Sequence, residues 1–396
     1  MKITFFSNFL NHHQIPVCNA FYKQLGHDYT FVQCEKVPEE RLKLGYLDDF
    51  SSYPYFFEVK DDTTYQKALQ LGLESDIVII GSADDIFIAQ RIKENKLTFR
   101  YSERLFKTNK HVLLYPLILL SRLKSDVSLR NKNVYMLSSS AFTPLDYTTL
   151  FSYPNRFFKW GYFPEYVSYD EAHLFNKKHH DETKIIWVGR MISWKKPMMA
   201  IKTTEKLIQK GYKVHLDLIG TGPLEDELKS YIQTRQLSQY ITLLGSMKPD
   251  QVREHMLESN IFLFTSTKQE GWGAVLNEAM NSGCATYSYY RIGAAPYLIN
   301  PGVNGKLFTT KKSLIKELIN DLNHPNRLDE MCLKAYETIK DQWNAENAVS
   351  RFIEVSISLM RGEPISTFEV GPMSKAEIMT GRKIRNTHLK RVKSND

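Results

Sequence analysis

Between Phe262 and Gly283 the chain reads F-L-F-T-S-T-K-Q-E-G-W-G-A-V-L-N-E-A-M-N-S-G. Two carboxylates, Glu270 and Glu278, bracket a turn made of Gly271, Trp272, Gly273 and Ala274. An apolar run leads in and a helical pattern leads out. A carboxylate accepts two hydrogen bonds from neighbouring sugar hydroxyls. Amides at a helix start suit a phosphate. A ligand that uses all of these is a nucleotide sugar. Upstream, the run V-G-R-M-I-S-W-K-K-P places Gly189, Arg190 and Lys195 just after another apolar segment. Two cations at a strand end neutralise a diphosphate, the arginine as a fork and the lysine as a point charge. Gly220, Thr221, Gly222 and Pro223 form a third turn. Glu225 stands where a dinucleotide fingerprint would have its third glycine, which argues against a nicotinamide enzyme. A fourth loop follows at Arg291 to Pro296. Singly, each stretch also fits solvated loop charges or a helix-start carboxylate. Four in order are hard to obtain by accident.

Such loops need strands to carry them. Short apolar runs alternate with amphipathic ones, which predicts parallel sheets covered by helices on both faces. Strands are expected at residues 2–6, 29–33, 76–81, 97–101 and 111–115, then at 184–188, 214–219, 240–244, 260–264 and 284–288. Helices are expected at 196–210, 224–235, 249–257, 314–322 and 345–360. The alternation occurs twice, so two doubly wound domains are expected. Their bounds are 1–165 and 166–345, followed by a helix at 346–362 that crosses back to the first domain and a basic tail at 363–396.

A length of 396 residues fits two domains better than one core. No apolar run reaches the length of a membrane span, and the first residues are too soon polar for a signal peptide. Cys18, Cys34, Cys284 and Cys332 lie far apart, as reduced thiols of a cytoplasmic protein would. The net charge of +8 concentrates in residues 100–132 and in the tail, at Arg382, Lys383, Arg385, Lys390, Arg391 and Lys393. No nucleic-acid-binding motif accompanies it, so no nucleic-acid partner is expected. A solvated basic tail and an anionic membrane surface are the two readings.

The run from Lys184 to Phe308 resembles the retaining glycosyltransferases of family 4. It carries G-R-x4-K (Gly189, Arg190, Lys195), G-x-G-P (Gly220 to Pro223), E-x7-E (Glu270, Glu278), E-A-M-N-S-G and N-P-G-V-N-G. In the first half, Asn8 to Gln14, Tyr101 to Arg104 and Lys159 to Pro164 resemble bacterial members that build capsular polysaccharides and exopolysaccharides. The resemblance implies the α/β GT-B fold, with two doubly wound Rossmann-like domains facing a central cleft. It implies that Arg190 and Lys195 hold the donor diphosphate and that Glu278 binds ribose hydroxyls. Glu270 faces the donor sugar, and the amides of Gly271, Trp272, Gly273 and Ala274 support sugar and phosphate, with Gly220 and Gly222 lining the site. Many members have glycine after the lysine. Here Lys196 follows Lys195, which leaves open which of the two reaches phosphate.

The implied reaction transfers a sugar with retention of configuration. The expected donor is a UDP-sugar, although these motifs do not fix the base. The expected acceptor is a saccharide, lipid-linked, in cell-surface polysaccharide biosynthesis. Asp48/Asp49, Asp61/Asp62 and Asp84/Asp85 are adjacent doublets rather than a D-x-D pair. No metal and no cofactor are therefore expected, and the cations stabilise the leaving diphosphate. A front-face mechanism needs no nucleophile; in a double displacement Glu270 would be the first candidate. His12, His13 and Glu103 are placed on the acceptor side. The expected location is the cytoplasm, with peripheral docking at the inner membrane face. Two alternatives remain: a nucleotide-sugar 2-epimerase on the same fold, and a non-catalytic sugar-nucleotide-binding subunit.

Overall fold

The computed structural model describes residues 1–42, 47–107, 120, 127–153, 155–178, 180–365 and 368–384. The chain divides into two units. Unit 1 is residues 1–165 with 343–378, and unit 2 is residues 166–342 with the described tail residues 379–384.

Unit 1 holds a seven-stranded parallel sheet of order β3-β2-β1-β4-β5-β6-β7. The strands are β1 (Ile3–Ser7), β2 (Tyr29–Gln33), β3 (Phe56–Glu58), β4 (Ile77–Ile80), β5 (Thr98–Ser102), β6 (Val134–Ser138) and β7 (Phe157–Lys159). Every residue of β1 and of β4 (I-V-I-I) is buried. Helices cover both faces of such a sheet, so its central strands read as apolar runs rather than alternations. Unit 2 holds a six-stranded sheet of order β10-β9-β8-β11-β12-β13. Its strands are β8 (Thr183–Val188), β9 (Val214–Ile219), β10 (Ile241–Gly245), β11 (Ile261–Phe264), β12 (Ala285–Tyr289) and β13 (Gly305–Phe308). All its pairings are parallel. β11 (I-F-L-F) is buried throughout.

Nine of the expected strands fall within one residue of these. The tenth, at 111–115, lies outside the described residues. β3, β6, β7 and β13 were not expected. Three of the four have only three or four residues, and β13 hides behind Lys306. That lysine is buried because Glu317 at 3.3 Å and Asp321 at 3.8 Å neutralise it.

The helix Ala345–Arg361 starts at Asn344, whose side chain accepts from the Asn347 amide at 2.9 Å. It ends at Gly362 in the left-handed conformation. In unit 1 it packs on the helix Ile15–Leu25, with Phe352 edge-on to Phe21. The segment beyond it, the start of the basic tail expected at 363–396, is packed in unit 1. Met373 and Ser374 are buried, and Ser374 and Phe157 carbonyls accept from the Lys159 and Ala376 amides at 2.8 and 2.9 Å. The strap thus pairs the edge strand β7, which would otherwise present open backbone groups. Ile384 is buried in unit 2. The cations Arg385, Lys390, Arg391 and Lys393 lie outside the described residues, as do 108–119 and 121–126 of the basic region 100–132. No helix among the described residues is long and apolar enough to cross a membrane.

Candidate functional site

In unit 2 the strand order reverses direction between β8 and β11. Connections leave these neighbours toward opposite sides, so a crevice opens beyond their C-terminal ends. The loop after β8 (residues 189–196) and the loop after β11 (residues 265–274) line it. Lys195 Nζ lies 3.0 Å from Glu270 Oε2, and the two side chains are only 14% and 12% exposed. Two residues 75 positions apart therefore form one mostly desolvated ion pair. Lys195 also stands 5.0 Å from the centre of the Trp194 ring, which adds a cation–π contact. Lys196 is exposed, so Lys195 is the lysine turned inward. Arg190 is exposed on the same loop.

The glycines of the motifs have a common cause. A Cβ on Gly220 would lie 2.1 Å from the Gly189 carbonyl oxygen, and one on Gly222 would lie 2.7 Å from that of Met191. A Cβ on Gly189 would meet the Lys195 Cδ at 3.2 Å. The loops after β8 and β9 are stacked backbone to backbone, locked by Met191 N–H to Thr221 O at 2.8 Å and Leu224 N–H to Met191 O at 3.1 Å. A lone G-x-G-P is weak as sequence; here it is the face against which the Arg190–Lys195 loop rests. Gly273 has φ +90°, and a Cβ there would strike the Phe264 ring at 2.4 Å and the Glu270 Cγ at 3.0 Å. Its bareness lets Glu270 lie close to the turn.

The Trp272 side chain is fully buried and its indole N–H donates to Asn277 Oδ1 at 2.9 Å. Its carbonyl accepts from Ala294 at 3.2 Å. The side chain of this expected donor-binding residue is thus committed to the packing of the turn. Gly271 and Ala274 are also buried in this turn. The helix that follows, Val275–Asn281, has seven residues. Its dipole is short, so the side-chain charges dominate the local field. Glu278 lies in its first turn and is half-buried. Burial pushes its carboxyl above the ordinary glutamate range, while Arg253 pulls the other way.

No motif marks the clamp behind Lys195. Thr265, just past the apolar β11, accepts from the Trp187 indole N–H at 2.9 Å. It donates toward the carbonyls of Lys195 at 2.8 Å and Lys196 at 3.0 Å. A β-branched hydroxyl ending an all-apolar strand was the available signal.

Unit 1 gathers its own candidates. The loop after β1 carries His12 and His13, again beside a reversal of strand order, between β1 and β4. The two rings are 3.8 Å apart at their centroids, because this is a turn and not the regular strand in which neighbours point apart. His13 stacks on Tyr162, with centroids 5.9 Å apart and ring planes at 11°. The Tyr162 hydroxyl donates to Glu103 Oε1 at 2.7 Å, and Lys107 pairs with the other Glu103 oxygen. Burial, and then His12, push the His13 imidazole down to about 3. It is a neutral ring, and its Nδ1 is buried without a hydrogen-bond partner. Tyr162 and Lys107 were not among the expected site residues. They join His13 and Glu103 into one cluster.

A family model described as glycosyl transferases group 1 matches residues 169–338, under half of the chain and almost all of unit 2. Over 133 residues the chain is 31% identical to the amylovoran biosynthesis glycosyltransferase AmsK of Erwinia amylovora, a stretch covering 32% of each protein. The solved structure of Anabaena Alr3699/HepE in complex with UDP superposes on 89% of this chain and 99% of its own, with TM-score 0.63 and 15% identity. A point mutant of S. aureus TarM, in complex with fondaparinux, alpha-GlcNAc-glycerol and UDP, superposes on 72% of this chain and 55% of its own, with TM-score 0.53 and 16% identity. The chain thus matches about a third of the length of AmsK, less of other curated relatives, and about half of TarM. The fold is GT-B: two parallel-sheet Rossmann-like units. In sequence, the likenesses are to glycosyltransferases, and the family match lies in unit 2.

Proposed function

We propose that the protein transfers a sugar from a nucleotide-sugar donor, a UDP-sugar, to a saccharide acceptor carried on lipid, with retention of configuration, in the synthesis of a cell-surface polysaccharide. The observation that carries this reading is the Lys195–Glu270 pair at the reversal point of the unit 2 sheet. In a mostly desolvated site a lysine needs a negative partner. Glu270 fills that role until a diphosphate arrives. The diphosphate then takes Lys195, with Arg190 as a second cation, and Glu270 turns to the hydroxyls of the donor sugar. Glu278 accepts the ribose diol. Both cations meet charge that grows on the leaving diphosphate as the anomeric bond breaks, which is where electrostatic stabilisation lowers the barrier. A leaving phosphate oxygen takes the acceptor proton on the same face. Retention then follows without an enzyme nucleophile. UDP as the leaving group is supported by the UDP complexes of HepE and TarM, and a polysaccharide product by AmsK. The His13–Tyr162–Glu103 cluster is assigned to the acceptor.

The test is a panel of nucleotide sugars scored by thermal shift, followed by turnover with and without a saccharide acceptor. A saturating donor is expected to raise stability by about 3–4 kcal/mol at roughly 100–1,000 times its Kd, and fast turnover is expected only with acceptor. Rapid conversion of donor alone would point to an epimerase. Donor binding with no turnover under any acceptor would point to a binding subunit.

A further inference from the structure

The β8–β11 ladder stops at the pair Phe262–Ile186, after which the two strands part to open the crevice. Beyond that point the connection passes to side chains. Trp187, one residue on in β8, reaches across to Thr265, one residue past the end of β11. Thr265 is buried and its hydroxyl makes three contacts. It accepts one hydrogen bond from the indole, and its single proton is shared between the Lys195 and Lys196 carbonyls. Two main-chain bonds support the same loop: Thr267 N–H to Trp194 O at 2.8 Å and Met199 N–H to Lys196 O at 3.0 Å.

Lys196 sits at φ 53° and ψ 52°, the left-handed region that glycine occupies freely and other residues at a cost. Its side chain is exposed, so the strain serves no contact of its own. The strain does serve a turn. Lys195 closes a single 3-10 turn (Ser193–Lys195), and Pro197 begins the helix Pro197–Ile208. The left-handed residue stands between the two, directly after the inward-turned Lys195.

We propose that Thr265 is a positioning residue: its hydroxyl, fixed by the Trp187 indole, holds the strained Lys196 backbone and thereby aims the Lys195 ammonium into the crevice. The geometry of Lys195 stands on its own; the ligand it meets rests on the reading under Proposed function.

The test reads both. Lys196→Gly and Lys196→Val remove the same charge but differ in backbone freedom, and neither disturbs the Trp187–Thr265 bond. The first readout needs no ligand: the rate at which acetic anhydride labels Lys195, followed by mass spectrometry. Lys196→Val should raise this rate several-fold, because a β-branched residue leaves the left-handed region and releases Lys195. Lys196→Gly should label like wild type. The second readout is the Kd of UDP by calorimetry, expected to weaken about tenfold in Lys196→Val relative to Lys196→Gly. Thr265→Val should behave like Lys196→Val. Thr265→Ser should restore wild-type values, and adding Lys196→Gly to Thr265→Val should recover most of the loss. Equal labelling of the glycine and valine variants would overturn the proposal, whether or not Thr265→Val folds. The predicted labelling in a wild-type protein that binds no nucleotide would leave the clamp standing and remove the donor-site reading instead.

Discussion

The two sheets share one strand order through their first six strands, and each has loops at its reversal point that carry ionisable groups. They differ in how those groups are neutralised. In unit 2 the crevice holds a full ion pair, Lys195 with Glu270, over stacked glycine loops. In unit 1 the corresponding loop holds a neutral imidazole, His13, stacked on a tyrosine whose hydroxyl is bound by Glu103, and the ion pair of that cluster, Glu103 with Lys107, is the more exposed of the two. A charged pair in a sheltered crevice is suited to exchange one partner for a charged ligand. A neutral ring beside a stacked tyrosine is suited to an uncharged one, as sugar hydroxyls are. The contrast teaches that a common fold sets where ligands meet the chain, and that local neutralisation sets which ligands fit.

The contrast can be broken most severely at Lys195. Lys195→Met is expected to lower transfer about 100- to 1,000-fold, the usual loss when one stabilising group is removed from a developing charge. Steady-state kinetics with saturating acceptor checks it. Unit 1 should respond differently. Tyr162→Phe frees Glu103 from its 2.7 Å partner. It should raise the acceptor KM about tenfold, given the ~1.5–3 kcal/mol of a hydrogen bond to a charged group, and leave the Kd of UDP unchanged. A change in UDP affinity of similar size would erase the distinction between the two regions.

A third prediction concerns pH. Burial raises the folded-state pKa of Glu278 above its unfolded value. Its contribution to stability is then fully present below the unfolded pKa and is lost as pH rises through the folded one. Glu278→Gln should therefore melt higher than wild type at about pH 8, and the gain should shrink toward about pH 4, while UDP binding weakens at every pH. Melting curves across that range decide it. The smallest effect is expected from the tail. A deletion after Ile384 spares the strap that pairs β7. It should reduce co-sedimentation with anionic vesicles at moderate salt and leave soluble turnover within about twofold; unchanged sedimentation would remove the tail from any docking role.

The unit 2 candidate site was legible as far as its residues lie in local spacings. Gly189 to Lys195 and Glu270 to Glu278 are local patterns, and the glycines mark where backbones touch. The partnership of Lys195 with Glu270 was not legible, since 75 residues and a sheet register separate them. Thr265 and Trp187 were hidden for the same reason, as their bond crosses two strands that pair only in the folded sheet. In unit 1 His13 and Glu103 were reached by strand-end position. Tyr162, which joins them, stood in a motif but carried no charge to draw notice. Short strands such as β3 and β7 were missed because three residues give no period.

The central claim is that Lys195 gives up Glu270 for a diphosphate. Calorimetric titration of UDP, which lacks the sugar, into wild type and Glu270→Gln tests it directly. Removing the competing carboxylate while keeping the side chain's shape is predicted to tighten UDP several-fold, even as transfer from the full donor is lost. Weaker UDP binding in Glu270→Gln, or binding equal to wild type, would contradict the exchange.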